Sequence, residues 1–210
     1  GLLTVSKLQI IGSTFVEYNA ENGILGCAND ALKDKGFLYT EIRVSDRCYI
    51  HFINTHLDAG SCEDDNSTRI KQLIQLDQWI TARYNSHNPH EAFFLAGDFN
   101  MNLNNPSEFP LMMAILNDFT PAFSLAGTTP GYDALDYILI DKLANVSNVS
   151  YQSFPQGPSD HRPIESCMTY DCTSRPATPP GGGLDGDPCV PGGVPCPPGY
   201  KCIGGHCVEL

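Results

Sequence analysis

Apolar and polar residues change their spacing several times along this chain, and each change marks an element. Leu2 to Ile11 is apolar with a weak alternation and reads as a buried strand. Phe37-Leu38-Tyr39-Thr40-Glu41-Ile42-Arg43-Val44 alternates clearly. Cys48 to Leu57 follows after Ser45-Asp46-Arg47, so the two runs predict a hairpin. Between Ser67 and Tyr84, Ile70, Leu73, Ile74, Asp77 and Ile80 recur at helical spacing, with N-cap candidates in Asp64-Asp65-Asn66-Ser67. Ala92 to Phe99 is the most apolar strand, and Glu108 to Leu116 predicts a short helix. Tyr137 to Ile140, Val146 to Tyr151 and Glu165 to Tyr170 complete the strands. Strands and helices alternate with hairpins among them, which predicts an α+β layered sandwich rather than a purely parallel sheet.

The pattern stops at Cys172. A Pro/Gly-rich linker over 172–186 follows, and then a tail over 187–210 that carries Cys189, Cys196, Cys202 and Cys207. The tail is too short for an apolar core and must rely on its cysteines. Four cysteines allow three pairings, between which sequence does not choose. In all there are nine cysteines in 210 residues, an odd number that leaves at least one unpaired within the chain. So many cysteines suggest an oxidising compartment, hence a secreted protein. The apolar runs are too short to span a bilayer. The net charge of −12 repels a phosphate backbone on average, which weighs against tight nucleic-acid binding. A bound metal would supply local positive charge all the same.

Three short runs change the picture from fold to chemistry: Asn54-Thr55-His56, Gly97-Asp98-Phe99-Asn100 and Ser159-Asp160-His161. Each ends an apolar or extended run in acids, imidazoles and amides, along what would be one rim of a sheet. Open sheets bind ligands at such rims, and metal-assisted phosphoryl chemistry needs those groups. In this order they point to a metal-dependent phosphoesterase. His51, inside a strand, reads as sheet packing or solvent, and His87 and His90 as solvated loop residues.

On these residues the chain resembles the endonuclease/exonuclease/phosphatase superfamily. Leu3-Thr4-Val5-Ser6-Lys7, Gly97-Asp98-Phe99-Asn100, Leu135-Asp136-Tyr137-Ile138-Leu139 and Ser159-Asp160-His161-Arg162-Pro163 match its motifs in order. Gly26-Cys27-Ala28-Asn29-Asp30-Ala31-Leu32-Lys33-Asp34-Lys35-Gly36-Phe37 is similar to secreted bacterial-type neutral sphingomyelinases, as is Asn54-Thr55-His56-Leu57-Asp58-Ala59 with Cys62 behind it. The resemblance implies a two-sheet, DNase I-like α/β sandwich over residues 1–171, covering the later part of that domain. It also implies a Cys27–Cys62 disulfide, and a regulatory pair of Asp30 and Lys35.

The site that the resemblance implies consists of His56, Asp98, Asn100, Asp136 and His161, with Mg²⁺ or another divalent cation facing Asp98 and Asp160. His161 is the expected general base, because imidazole titrates near the operating pH. Asp136 would orient it, while Asn100 and His56 would donate to phosphoryl oxygens. The family's metal-binding glutamate and a phosphate-side asparagine would lie upstream of Gly1. The chain therefore reads as N-terminally truncated, and inactive or poorly active alone. The hairpin tip Phe154-Pro155-Gln156-Gly157-Pro158 is short, with one aromatic residue for a membrane. The expected activity is phospholipase C-type hydrolysis of sphingomyelin by a monomer bound peripherally to a membrane surface. The alternatives are a DNase I-like nuclease and a non-catalytic secreted binding protein.

Overall fold

A computed structural model describes residues 1–21, 34–84, 91–128 and 134–172, and the backbone of 200–203 and 206–209. In chain order the elements are β1 (Gln9–Glu17), β2 (Gly36–Ser45), β3 (Cys48–His56), α1 (Glu63–Tyr84), β4 (Glu91–Asp98), α2 (Phe109–Ile115) and β5 (Phe119–Pro121). They continue with α3 (Ala122–Leu125), β6 (Asp136–Asp141), β7 (Val146–Ser153), β8 (Ile164–Tyr170), β9 (Tyr200–Ile203) and β10 (His206–Glu209).

The larger sheet has the order β1-β2-β3-β4-β6-β5. Only β3 and β4 pair in parallel within it, and α1 is the crossover that such a pair requires. The two sides of β4 face two different cores. Phe93 and Leu95 pack with Leu73, Leu76 and Ile80 of α1 and with Met112 and Ile115 of α2. Ala92 and Phe94 pack with Val146, Val149 and Tyr151 of β7 and with Met168 and Tyr170 of β8, which form the second sheet. Burial on both faces is why Ala92 to Ala96 carries no polar residue. The expected two-sheet sandwich is what the chain forms.

Some boundaries differ from expectation. The first strand is Gln9–Glu17 rather than Leu2–Ile11, because its pairing with β2 runs on through a bulge between Ile10 and Gly12. The long helix starts at Glu63 rather than Ser67. Asp65 accepts from the Cys62 N–H at 2.9 Å, half of a capping box, and the acids meant as caps occupy the first turn instead. β5 and α3 fall outside the expected elements.

A disulfide joins Cys48 to Cys172, a pairing that the sequence left open, while Cys167 is free and exposed. Cys62 is also disulfide-bonded, but its expected partner Cys27 lies outside the described residues, as do Asp30, His87, His90 and most of the linker. Within the tail, β9 and β10 form an antiparallel hairpin.

Candidate active site

The register of three neighbouring strands builds the site. His56 at the end of β3 pairs with Asp98 at the end of β4, and Asp98 pairs with Asp136 at the start of β6. Because side chains alternate along a strand, these three continue the rows of Phe52, Phe94 and Ile138, which pack toward the second sheet. The connection from β7 to β8 crosses over that rim and delivers Asp160 and His161. His56, Asp98, Asp160 and His161 line a cavity of about 730 Å³ together with Asn100, Asp34, Lys35, Phe15 and Leu2.

Close approach of the strands depends on Gly97. Its φ is +145°, and a Cβ there would meet the Thr55 carbonyl oxygen at 1.9 Å. One residue beyond Phe99, Asn100 takes a positive φ of 50°, which Asn tolerates better than most residues. Its N–H donates to Asp98 Oδ1 at 2.9 Å, and its side-chain Nδ2 donates to the Leu57 carbonyl at 3.1 Å. Backbone bonds from Leu57 N–H to Asp98 O and from Phe99 N–H to Leu135 O tie the three strand ends together.

His161 Nδ1 lies 2.6 Å from Asp136 Oδ2. An ionised carboxylate only accepts, so Nδ1 carries the proton and Nε2 is left toward the cavity. There Nε2 stands 3.7 Å from Asp98 Oδ2, and His56 Nε2 stands 3.4 Å from the same oxygen. The hydrogen bond to Asp136 raises the His161 pKa above its ordinary value, and the charges of Asp136, Asp98 and Asp160 add to it against partial burial. Asp136 is raised as well, chiefly by burial, with Asp98 adding and His161 opposing. The two shifts differ in cause because Asp136 is the more enclosed partner, where desolvation outweighs the bond.

The structure thus brings together His56, Asp98, Asn100, Asp136, Asp160 and His161. Among the described residues, Asp98, Asp136 and His161 offer ligand atoms within 4.8 Å of one another. His161 Nδ1 is already engaged by Asp136, and Mg²⁺ prefers oxygen from one or two carboxylates plus waters and phosphate. Asp98 and Asp160 both lie on the cavity wall. Lys35 is nearly buried, and its Nζ donates to the Leu57 carbonyl at 3.2 Å. Its proposed partner Asp30 lies outside the described residues. The carbonyl of Leu57 and the side chains of Arg69 and Gln72 behind it were not legible as site elements. A polar residue inside a helical repeat gives no sign of whether it is buried.

The Endonuclease/Exonuclease/phosphatase family 2 matches residues 6–118, just over half of the chain. A sphingomyelinase C of Bacillus cereus is 31% identical over 145 residues, covering 65% of this chain and 39% of that protein. Beta toxin from Staphylococcus aureus superposes with a TM-score of 0.59 at 22% identity, covering 77% of this chain and 65% of the toxin. A double mutant of that toxin with bound magnesium ions superposes with a TM-score of 0.56 at 19% identity, over 77% of this chain and 62% of the toxin. The chain spans less than half the length of the curated relatives that it matches. It belongs to the endonuclease/exonuclease/phosphatase family.

Proposed function

We propose that this chain carries the later part of the active site of a secreted, Mg²⁺-dependent phosphodiesterase that hydrolyses sphingomyelin to ceramide and phosphocholine. The observation that carries the reading is the His56–Asp98–Asp136 row, with His161 brought onto it from the second sheet. His161 Nε2 takes a proton from water as the water oxygen attacks phosphorus and the bond to the ceramide oxygen breaks, that oxygen leaving with a proton drawn from solvent. Asp136 keeps the ring oriented and stabilises the imidazolium that forms. His56 and the second N–H of Asn100 Nδ2 donate to phosphoryl oxygens as charge builds there. Asp98 and Asp160 would hold a divalent cation, which would supply charge stabilisation at the phosphoryl group.

The sphingomyelinase C relatives support the substrate, and the magnesium-bound toxin supports the metal. The Cys48–Cys172 disulfide supports an oxidising compartment. No helix among the described residues is long and apolar enough to cross a membrane, which suits a protein acting at the membrane surface. The test is phosphocholine release from sphingomyelin vesicles by the full-length polypeptide, with Mg²⁺ and with a chelator. Mg²⁺-dependent release is expected. Nicking of plasmid DNA without phosphocholine release would overturn the reading in favour of a nuclease.

A further inference from the structure

The Leu57–Asp58 peptide group lies between the cavity and α1, and both sides hold it. On the cavity side its carbonyl accepts from Asn100 Nδ2 at 3.1 Å and from Lys35 Nζ at 3.2 Å. On the helix side its N–H donates to Gln72 Oε1 at 2.9 Å. A trans peptide is planar with N–H and C=O pointing in opposite directions, so whatever fixes one fixes the other. Gln72 is itself fixed, because its Nε2 donates to the Ala20 carbonyl at 2.8 Å. Arg69 Nη1 grips the next carbonyls of the same loop, those of Asp58 at 3.2 Å and Gly60 at 2.8 Å. Gly60 has a φ of +113°, a bend that a side chain would resist.

Asp65, Arg69 and Gln72 are spaced to share one face of α1, and each is at least 99% buried. About one and two turns beyond Gln72 the helix buries Leu76 and Ile80 instead. Burying polar groups is costly unless they are bonded, so a polar stripe is a poor way merely to anchor a helix. It is a good way to hold a loop's backbone at a fixed angle.

We propose that Gln72, supported by Arg69, is a positioning residue: by holding the Asp58 N–H it aims the Leu57 carbonyl, and so places Asn100 and Lys35 at the cavity. Only the rate prediction rests on the phosphodiesterase reading. The experiment compares full-length protein with Gln72→Met, which keeps length without hydrogen bonds, and Gln72→Glu, which keeps an acceptor for the Asp58 N–H. In metal-free protein, Gln72→Met is expected to speed hydrogen exchange at the Asp58 amide about 5- to 10-fold, the worth of one hydrogen bond. The Asn100 side-chain amide resonances shift, while those of the Phe93 and Leu95 backbone stay. With sphingomyelin, kcat falls about 10- to 100-fold while KM stays within about twofold. Gln72→Glu, which keeps the acceptor for the Asp58 N–H but loses the donor to the Ala20 carbonyl, recovers part of both effects.

Unchanged Asn100 resonances and Asp58 exchange in Gln72→Met would overturn the proposal, as would equal losses in the Met and Glu variants. If Gln72→Met fails to fold, Arg69→Lys decides. A single ammonium replaces the guanidinium fork, and the same Asn100 resonances must move. An unaltered protein without turnover would sink the phosphodiesterase reading, yet the resonance and exchange measurements would still decide the clamp.

Discussion

β3 carries two histidines, and each meets a carboxylate at an opposite end of the sheet. His51 sits between Tyr39 and Glu91, with Nδ1 2.7 Å from the Tyr39 hydroxyl and Nε2 3.1 Å from Glu91 Oε2. Its ring stacks on Phe93 at 4.6 Å between centroids. His161, which meets the rim that His56 occupies, pairs with Asp136 at 2.6 Å. The side chains of the first pair are 1% and 12% exposed, and those of the second 36% and 27%. Burial, with the Glu41 charge second, pushes the Tyr39 hydroxyl up to about 12, so it stays protonated and donates to Nδ1. With one ring nitrogen on Tyr39 and the other on Glu91, His51 has no nitrogen left for a substrate. His161 keeps Nε2 toward the cavity. A histidine–carboxylate pair is not a catalytic signature in itself, and what separates these two is one ring nitrogen that faces the cavity, 3.7 Å from Asp98 Oδ2.

The largest effect should therefore fall on the open pair. His161→Ala is expected to lower kcat of the full-length protein about 10²- to 10⁴-fold, with thermal unfolding little changed. Vesicle assays alongside calorimetry check both halves. A loss of activity matched by a loss of folded protein would make His161 as structural as His51.

A second prediction concerns the enclosed end. Cys48 begins β3 beside the His51 region and is bonded to Cys172, 124 residues away in sequence. Cys172→Ser should cost about 2–5 kcal/mol in denaturant unfolding, since a long loop is released in the unfolded chain. The His161 ring resonances should stay in place. Their movement would show that the two ends of the sheet are coupled.

The two ends were unequally legible. Chemistry at the open rim shows in sequence because acids, imidazoles and amides end apolar runs, as in Phe94-Leu95-Ala96-Gly97-Asp98. The register that lines up His56, Asp98 and Asp136 does not show, because strand pairing is long-range. His51 could be read only as packing or solvent, since nothing in Tyr49-Ile50-His51-Phe52 names its partners Tyr39 and Glu91. The first strand was shifted because a bulge lets pairing continue past Gly12. Gln72 was missed for a related reason: in a helix of polar and apolar residues, a polar stripe turned inward looks like one turned to solvent.

A smaller effect tests the enclosed pair directly. His51→Leu leaves the Tyr39 hydroxyl and Glu91 without their shared partner, which should cost about 1–3 kcal/mol in chemical unfolding. Rate per folded molecule should hold within about twofold. A rate loss with no change in stability would reverse the assignment of the two pairs.

The subtlest test is electrostatic. In metal-free protein the His161 ring, followed by NMR, should titrate above its ordinary pKa, the hydrogen bond to Asp136 being the main cause. Asp136→Asn should bring it down, because the amide holds no charge for the imidazolium. The stability consequence has a definite sign. A raised histidine pKa stabilises the fold fully below the unfolded-state value, and that contribution fades as pH rises through the folded-state pKa. Asp136 must be ionised to hold the imidazolium, and burial raises its own pKa. A carboxyl whose folded-state pKa is raised also loses stability as it ionises. The wild type's stability relative to Asp136→Asn should therefore be greatest at acid pH and fall in two steps, first as Asp136 ionises and then as His161 loses its proton. A difference that kept one size through both steps would mean the pair is held by geometry alone, as at His51, and the contrast between the two histidines would lose its electrostatic half.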